Sequence, residues 1–108
     1  MLKTEMEALA GQFTGRKEFI EDGYYRIQML DDSRFELAFM LADSCGTTAY
    51  HPRIVAEVRG EEVVPVSLLD YVSHPIKNME RTEANGAELD EALAALVDKL
   101  RRAKAVQD

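Results

Sequence analysis

Apolar side chains recur every three or four residues in the segment 85–106, near the C-terminal end of the sequence. This spacing places one set of residues on a single helix face: Leu89, Leu93, Leu96, Val97 and Leu100. Asn85 is placed to cap the helix, and Glu88, three residues later, completes a capping box. Acidic residues fill the first turn and basic residues the last, which opposes the helix dipole. The segment therefore predicts a long amphipathic helix that needs an apolar surface to cover.

A second, shorter helix is predicted over residues 4–13, because Thr4 and Glu7 form a capping box within a short apolar stripe. Between the two helices apolar and polar residues alternate, which is typical of strands with one buried face. The predicted strands cover residues 16–21, 24–30, 34–41, 53–59 and 62–66. Turns are predicted between them at Asp22-Gly23, Asp31-Asp32-Ser33 and Gly60-Glu61.

The stretch 62–84 predicts the end of the sheet. Pro65 has no amide hydrogen to give to a ladder, so the strand 62–66 belongs at an edge of the sheet or ends there. The residues 67–72 begin with a serine that suits an N-cap, and they predict a short helical turn. The polar stretch 73–84 predicts a connector.

Together these elements predict an α+β fold in one domain, residues 1–108. An antiparallel meander sheet of four to five strands carries the short N-terminal helix and the long C-terminal helix packed on it. The long helix is expected to cover the face with Ile27, Met29, Leu37 and Phe39. The other face still carries Leu30, Ala38, Met40 and Val55, and the short helix could cover part of it.

Apolar surface that no element covers usually marks an association site. Tyr and Arg are favoured at interface hot spots, so they join the apolar residues in the predicted surface. This interaction surface consists of Tyr24, Arg26, Leu30, Met40, Val55 and Val64. An edge strand at 62–66 could also pair with its counterpart in a second subunit. The sequence therefore predicts a homodimer, the commonest soluble assembly.

Charge and cysteine content narrow the class of protein. The net charge of −7 is spread along the chain, and the basic cluster at 99–104 is explained by the helix end. Nucleic-acid binding, which depends on clustered Lys and Arg, is therefore not expected. The single cysteine, Cys45, excludes an internal disulfide. No secretory signal and no apolar run of ~20 residues is present, so a cytoplasmic protein without a membrane segment is expected.

The segment 43–52 holds the residues best suited to chemistry. Cys45 and His51 make the best nucleophile–base pair, with Asp43 as the orienting acid. Their spacing fixes no catalytic geometry, and no motif of a known catalytic cysteine is present. His74 adds a fourth candidate metal ligand, but the close ligand pairs of zinc sites are missing. No phosphate-binding glycine motif occurs, so no catalytic, cofactor or metal site is predicted.

The sequence favours a small acidic, non-enzymatic protein-interaction module: an adaptor, a chaperone-like subunit or an inhibitor that acts by surface complementarity. Its partner is expected to be a protein, in addition to a second copy of the chain. One alternative is a small enzyme or ligand-binding domain centred on the Asp43–His51 loop. A further alternative is a nucleic-acid mimic, which the excess of acidic residues would suit.

Overall fold

Six antiparallel strands lie side by side in chain order within residues 1–107, the part of the chain that the computed structural model describes. The elements are α1 (Lys3–Ala10), β1 (Glu18–Ile20), β2 (Gly23–Asp31), β3 (Arg34–Ala42), β4 (Thr48–Arg59), β5 (Glu62–Asp70), β6 (Lys77–Glu80) and α2 (Gly86–Gln107). The α+β class, the antiparallel meander and the two helices are confirmed. The predicted number of strands, four to five, is too low.

The additional pairing comes from β5 and β6. The predicted helical turn at 67–72 is wrong, because β5 continues through Asp70, with Ser67 opposite Val55 on β4. Pairing with strands on both sides overrides a local capping signal. The predicted connector contains β6, which pairs with the second half of β5. Its polar composition suits an edge strand with exposed side chains.

The N-terminal helix begins and ends earlier than predicted. α1 starts at Lys3, one residue before the predicted cap at Thr4. The Glu5 carboxylate accepts a hydrogen bond from the Leu2 amide at 3.3 Å, in place of the expected capping box. Leu2 also forms a β-bridge with Glu62 on β5. Tertiary pairing therefore decides where this helix begins.

The Asn85 side chain binds the turn before α2 rather than the helix itself. Its Oδ1 accepts from the Thr82 amide at 2.7 Å, and its Nδ2 donates to the Glu80 carbonyl at 2.8 Å. Its backbone carbonyl accepts from the Leu89 amide at 3.1 Å. Among the described residues it makes no capping box with Glu88. The side chain instead fixes the connection between β6 and α2.

The first hairpin turns one residue earlier than predicted. Its loop consists of Glu21 and Asp22, and Glu21 adopts a left-handed φ of 53°. Gly23 is the first residue of β2 and is buried against Phe39 of β3. A Cβ at this position would lie 2.6 Å from the Phe39 ring carbon Cε1, so the close approach of the two strands requires glycine.

Both helices pack on one face of the sheet, called the inner face below. The core there contains Met6, Leu9, Phe13, Ile20, Tyr25, Ile27, Phe35, Leu37, Phe39, Ile54, Ala56, Val63, Leu68, Leu89, Leu93, Leu96, Val97, Leu100 and Ala103. The predicted stripe of α2 is confirmed. Met29 is the exception among the predicted strand positions, since it is 52% exposed beside an irregularity at the end of β2. Because α1 joins this core, the expectation that it covers part of the second sheet face is wrong.

Candidate functional site

The outer face of the sheet, turned away from both helices, holds the candidate site. Cross-strand register places Tyr24 opposite Met40, Arg26 opposite Ala38 and Glu36 opposite Val55. Side chains alternate between faces along each strand, so these residues share a side. Its central members are Tyr24, Arg26, Gln28, Glu36, Ala38, Met40, Tyr50, Arg53 and Val55.

Four of the six predicted interaction residues lie together on this face: Tyr24, Arg26, Met40 and Val55. The other two lie away from the centre. Leu30 is 39% exposed at the end of β2. Val64, opposite Glu57 on β4, is half-buried near the N-terminal end of β5. The apolar residues at the centre are buried beneath their long neighbours, so the face is a mixed polar and apolar surface.

A buried carboxylate holds the centre of the outer face together. Glu36 is 3% exposed, and its two oxygens accept from different guanidinium groups. The Arg26 Nε lies 2.6 Å from Oε1, and the Arg53 Nε lies 2.6 Å from Oε2. Gln28 donates a further hydrogen bond to Oε1 at 3.0 Å, and Arg26 Nη2 donates to the Tyr50 hydroxyl at 3.3 Å. Strands β2, β3 and β4 each contribute to this network.

The network keeps Glu36 ionised. Burial alone would raise the pKa of the carboxyl, but hydrogen bonds from Arg53, Arg26 and Gln28 outweigh it, and the pKa lies below its usual 4.5. The pKa of the Arg26 guanidinium is raised, because its bond to Glu36 outweighs burial. At neutral pH the centre therefore holds two positive charges and one negative charge.

Aromatic rings form a row across the outer face beside the charged centre, because strand register aligns Phe19, Tyr24 and Tyr50. The two ends of this row are called the aromatic flanks below. Phe19 meets Tyr24 edge to face at a centroid distance of 5.2 Å, and the Lys17 ammonium lies 5.4 Å from the Tyr24 ring. At the other end of the row Tyr50 stacks with Tyr71 at a centroid distance of 6.4 Å. The outermost rings are the accessible ones, with Phe19 62% exposed and Tyr71 49% exposed.

Sequence reasoning missed the acid at the centre and the second arginine. Glu36 lies in the polar positions of a predicted strand, and such positions are ordinarily solvated. The sequence feature that indicates a role for Glu36 is the presence of Arg26 and Arg53 in the two neighbouring strands, since opposite charges favour cross-strand contact. The register that aligns them depends on an irregularity between Ala38 and Met40, which local sequence does not reveal.

The predicted chemistry residues do not assemble into a triad. Asp43 accepts from the amides of Cys45 at 2.9 Å and Thr47 at 3.1 Å, so it shapes its own loop. Cys45 is exposed in that loop. His51 lies within β4, and its Nδ1 is 2.9 Å from both carboxylate oxygens of Asp70, not from Asp43.

Asp70 in turn accepts hydrogen bonds from two amides in the turn after β5, those of Val72 at 2.9 Å and Ser73 at 3.0 Å. Burial alone would raise the pKa of the Asp70 carboxyl. The hydrogen bonds from His51 and these amides outweigh burial, so the pKa lies below its usual value. His74, the fourth candidate ligand, is exposed in the same turn. Within the described residues, no three His, Cys, Asp or Glu side chains cluster as metal ligands would. The Asp70 contacts therefore order the turn between β5 and β6.

Comparison with other proteins adds no family to this description. No protein-family model, curated protein or solved structure matches the chain. Neither helix of the described residues is long and apolar enough to cross a membrane. The outer face, with its central charge network and aromatic flanks, is the surface on which a functional interpretation rests.

Proposed function

We propose that this chain is a non-enzymatic protein-interaction module, an adaptor, chaperone-like subunit or inhibitor, and that it binds its partner through the outer face. The supporting observation is that both helices pack on the inner face, while the outer face combines ordered arginines with exposed aromatic rings. Arg, Tyr and Phe are enriched in the central parts of protein interfaces. The rigid sheet beneath them reduces the ordering cost of binding.

Substituting Ala for both Phe19 and Tyr71 tests this proposal. Both rings are largely exposed, so the double variant is expected to fold while losing aromatic contact area at both flanks. If each ring contributes about 1 kcal/mol or more, partner affinity falls by about 30-fold or more. Affinity capture from the native host with quantitative mass spectrometry identifies proteins that bind the wild-type chain. Titration with the purified candidate then measures the fold-change.

The matched control is Val106→Ala, which truncates an apolar side chain with 57% exposure on α2, away from the outer face. It is expected to capture the same protein with unchanged affinity. A partner that the double variant binds with the same affinity as the wild type would place binding elsewhere and overturn the proposal.

For the predicted homodimer, the edge of β2 is a better candidate contact than the expected edge at residues 62–66. The expected edge at 62–66 is partly occupied by the same chain, because the Lys3 amide donates to the Glu61 carbonyl and the Val63 amide donates to the Met1 carbonyl, both at 2.8 Å. By contrast, within residues 1–107 β1 pairs only with residues 23–25 of β2, so residues 26–31 have no strand of the described chain on that side. We propose that two chains associate along this free edge of β2.

Met29→Lys is expected to weaken this association, because Met29 is 52% exposed on the free edge and a lysine there opposes strand pairing. Sedimentation equilibrium over a concentration series is expected to give twice the chain mass of 12.2 kDa for the wild type and a shift toward monomer for the variant. Val106→Lys is the control on α2. A wild-type monomer at every concentration would contradict the dimer.

A further inference from the structure

We propose that the ligand of the outer face is an acidic segment of a partner protein, and that a carboxylate of that segment binds the guanidinium of Arg53. The inference rests on the proposed function and adds the chemistry of the partner. It follows from the ratio of charges at the centre of the face, from the donors left over there and from the rings that flank them.

The charge network contains more donors than its single acid can use. Glu36 accepts one hydrogen bond from the Nε of each arginine, and Arg26 donates a further hydrogen bond to the Tyr50 hydroxyl. In the part of the chain described, Arg53 has no ion pair besides the one to Glu36, and its side chain is 27% exposed. Its two Nη groups therefore remain available for a carboxylate, the acceptor whose geometry a guanidinium matches best.

The local charge favours such a ligand. Arg26 and Arg53 contact the acid Glu36 at the centre, which leaves an excess of one positive charge there. Lys17 adds another at the Tyr24 ring, in a chain of net charge −7. One or two carboxylates would neutralise that excess. A nucleic acid draws its affinity from many phosphates, and the acidic remainder of the chain would repel it. The face is therefore better matched to an acidic peptide than to a polyanion.

The aromatic flanks extend the site in the direction expected for a peptide. Tyr50 lies beside Arg53, with the guanidinium carbon 5.9 Å from the ring centroid. Phe19 lies on β1, three strands from Tyr50 on β4 in the same row, which is about 14 Å at the usual strand spacing. A short segment can contact the aromatic row through apolar residues while the carboxylate of a neighbouring acidic residue reaches Arg53 in the next row.

A paired peptide array tests the proposal with the full chain. Each short peptide is synthesised with Asp or Glu and again with Asn or Gln at the same positions, with apolar residues beside them. The wild-type chain is expected to bind the carboxylate peptides at least about tenfold more tightly, which is the effect of one charge-assisted hydrogen-bonded pair. Arg53→Met is expected to remove this preference, whereas Arg59→Met, which alters an arginine paired with Glu57, is expected to retain it.

Arg53→Met leaves Glu36 paired with Arg26 and Gln28, so the network keeps a balanced charge and the variant is expected to fold. Arg53→Lys keeps the charge without the planar donors and is expected to lose most of the preference. Equal binding of acid and amide peptides by the wild type overturns the inference. So does tighter binding of an oligothymidylate than of any peptide, which would assign the face to nucleic acid. Equal binding of acid and amide peptides leaves the proposed function standing if the Phe19/Tyr71 variant still loses its protein partner, whereas preferred oligothymidylate binding overturns both.

Discussion

Glu36→Gln is expected to lower the free energy of unfolding by about 3 kcal/mol, the lower end of the cost of breaking a buried ion pair by removing one partner. The substitution keeps the size of the side chain but leaves two guanidinium groups facing each other without a counter-charge. The cost stays at the lower end because the side chains of Arg26 and Arg53 are 20% and 27% exposed, so water relieves part of the repulsion. Urea titration at neutral pH measures the difference.

Glu57→Gln is the matched control on the same sheet. Glu57 is 38% exposed and pairs with Arg59 at the surface, so its loss is expected to cost less than about 1 kcal/mol. Equal losses for the two variants would mean that the network at Glu36 contributes no more than an ordinary surface pair.

The same carboxyl predicts a pH dependence. Because the pKa of Glu36 is lower in the folded chain than its usual 4.5, its contribution to stability is complete above 4.5. That contribution is lost as the pH falls below 4.5 toward the folded-state pKa. The wild type is therefore expected to lose its stability advantage over Glu36→Gln in this acidic range, which urea titration at a series of pH values measures.

Leu100→Ala is expected to destabilise the protein by about 3–4 kcal/mol. Leu100 is 0% exposed in the core between α2 and the inner face, and truncation there removes buried apolar surface and leaves a cavity. Val106→Ala, in the same helix but 57% exposed, is expected to change stability by less than about 0.5 kcal/mol. Chemical denaturation with an unchanged m-value would attribute the loss to the folded state. Similar effects at the two positions would contradict the assignment of the helix's buried face.

The sequence was most informative where one physical signal acted over many residues. The leucine spacing of α2 and the alternation in β2 and β3 each predict the side that packs in the core, and Met29 is the exception to these predictions. Local signals did less well when a tertiary contact competed with them. Ser67 suits a helix cap, yet β4 and β6 hold it in a strand. Asn85 suits a cap too, yet its side chain is used by the turn after β6.

The site was accessible to sequence reasoning only in part. Tyr24, Arg26 and Met40 could be assigned to the second face from alternation, since period-two patterns fix which side a residue faces. The pairing of Arg26 and Arg53 with Glu36 required the strand register, which shifts at an irregularity in β3 and β4. The position of α1 also required the structure, because an amphipathic helix shows that it has a partner surface but not which one.

The order of strands in the sheet equals their order in the chain, and this affects biosynthesis. A nascent polypeptide can add each hairpin as it leaves the ribosome and complete the sheet before α2 has emerged from the exit tunnel. During that interval Phe35 and Leu37, both fully covered in the finished molecule, face water. Aggregation therefore competes with folding most strongly just before the final leucines emerge, when a chaperone bound to the exposed sheet would protect the chain best.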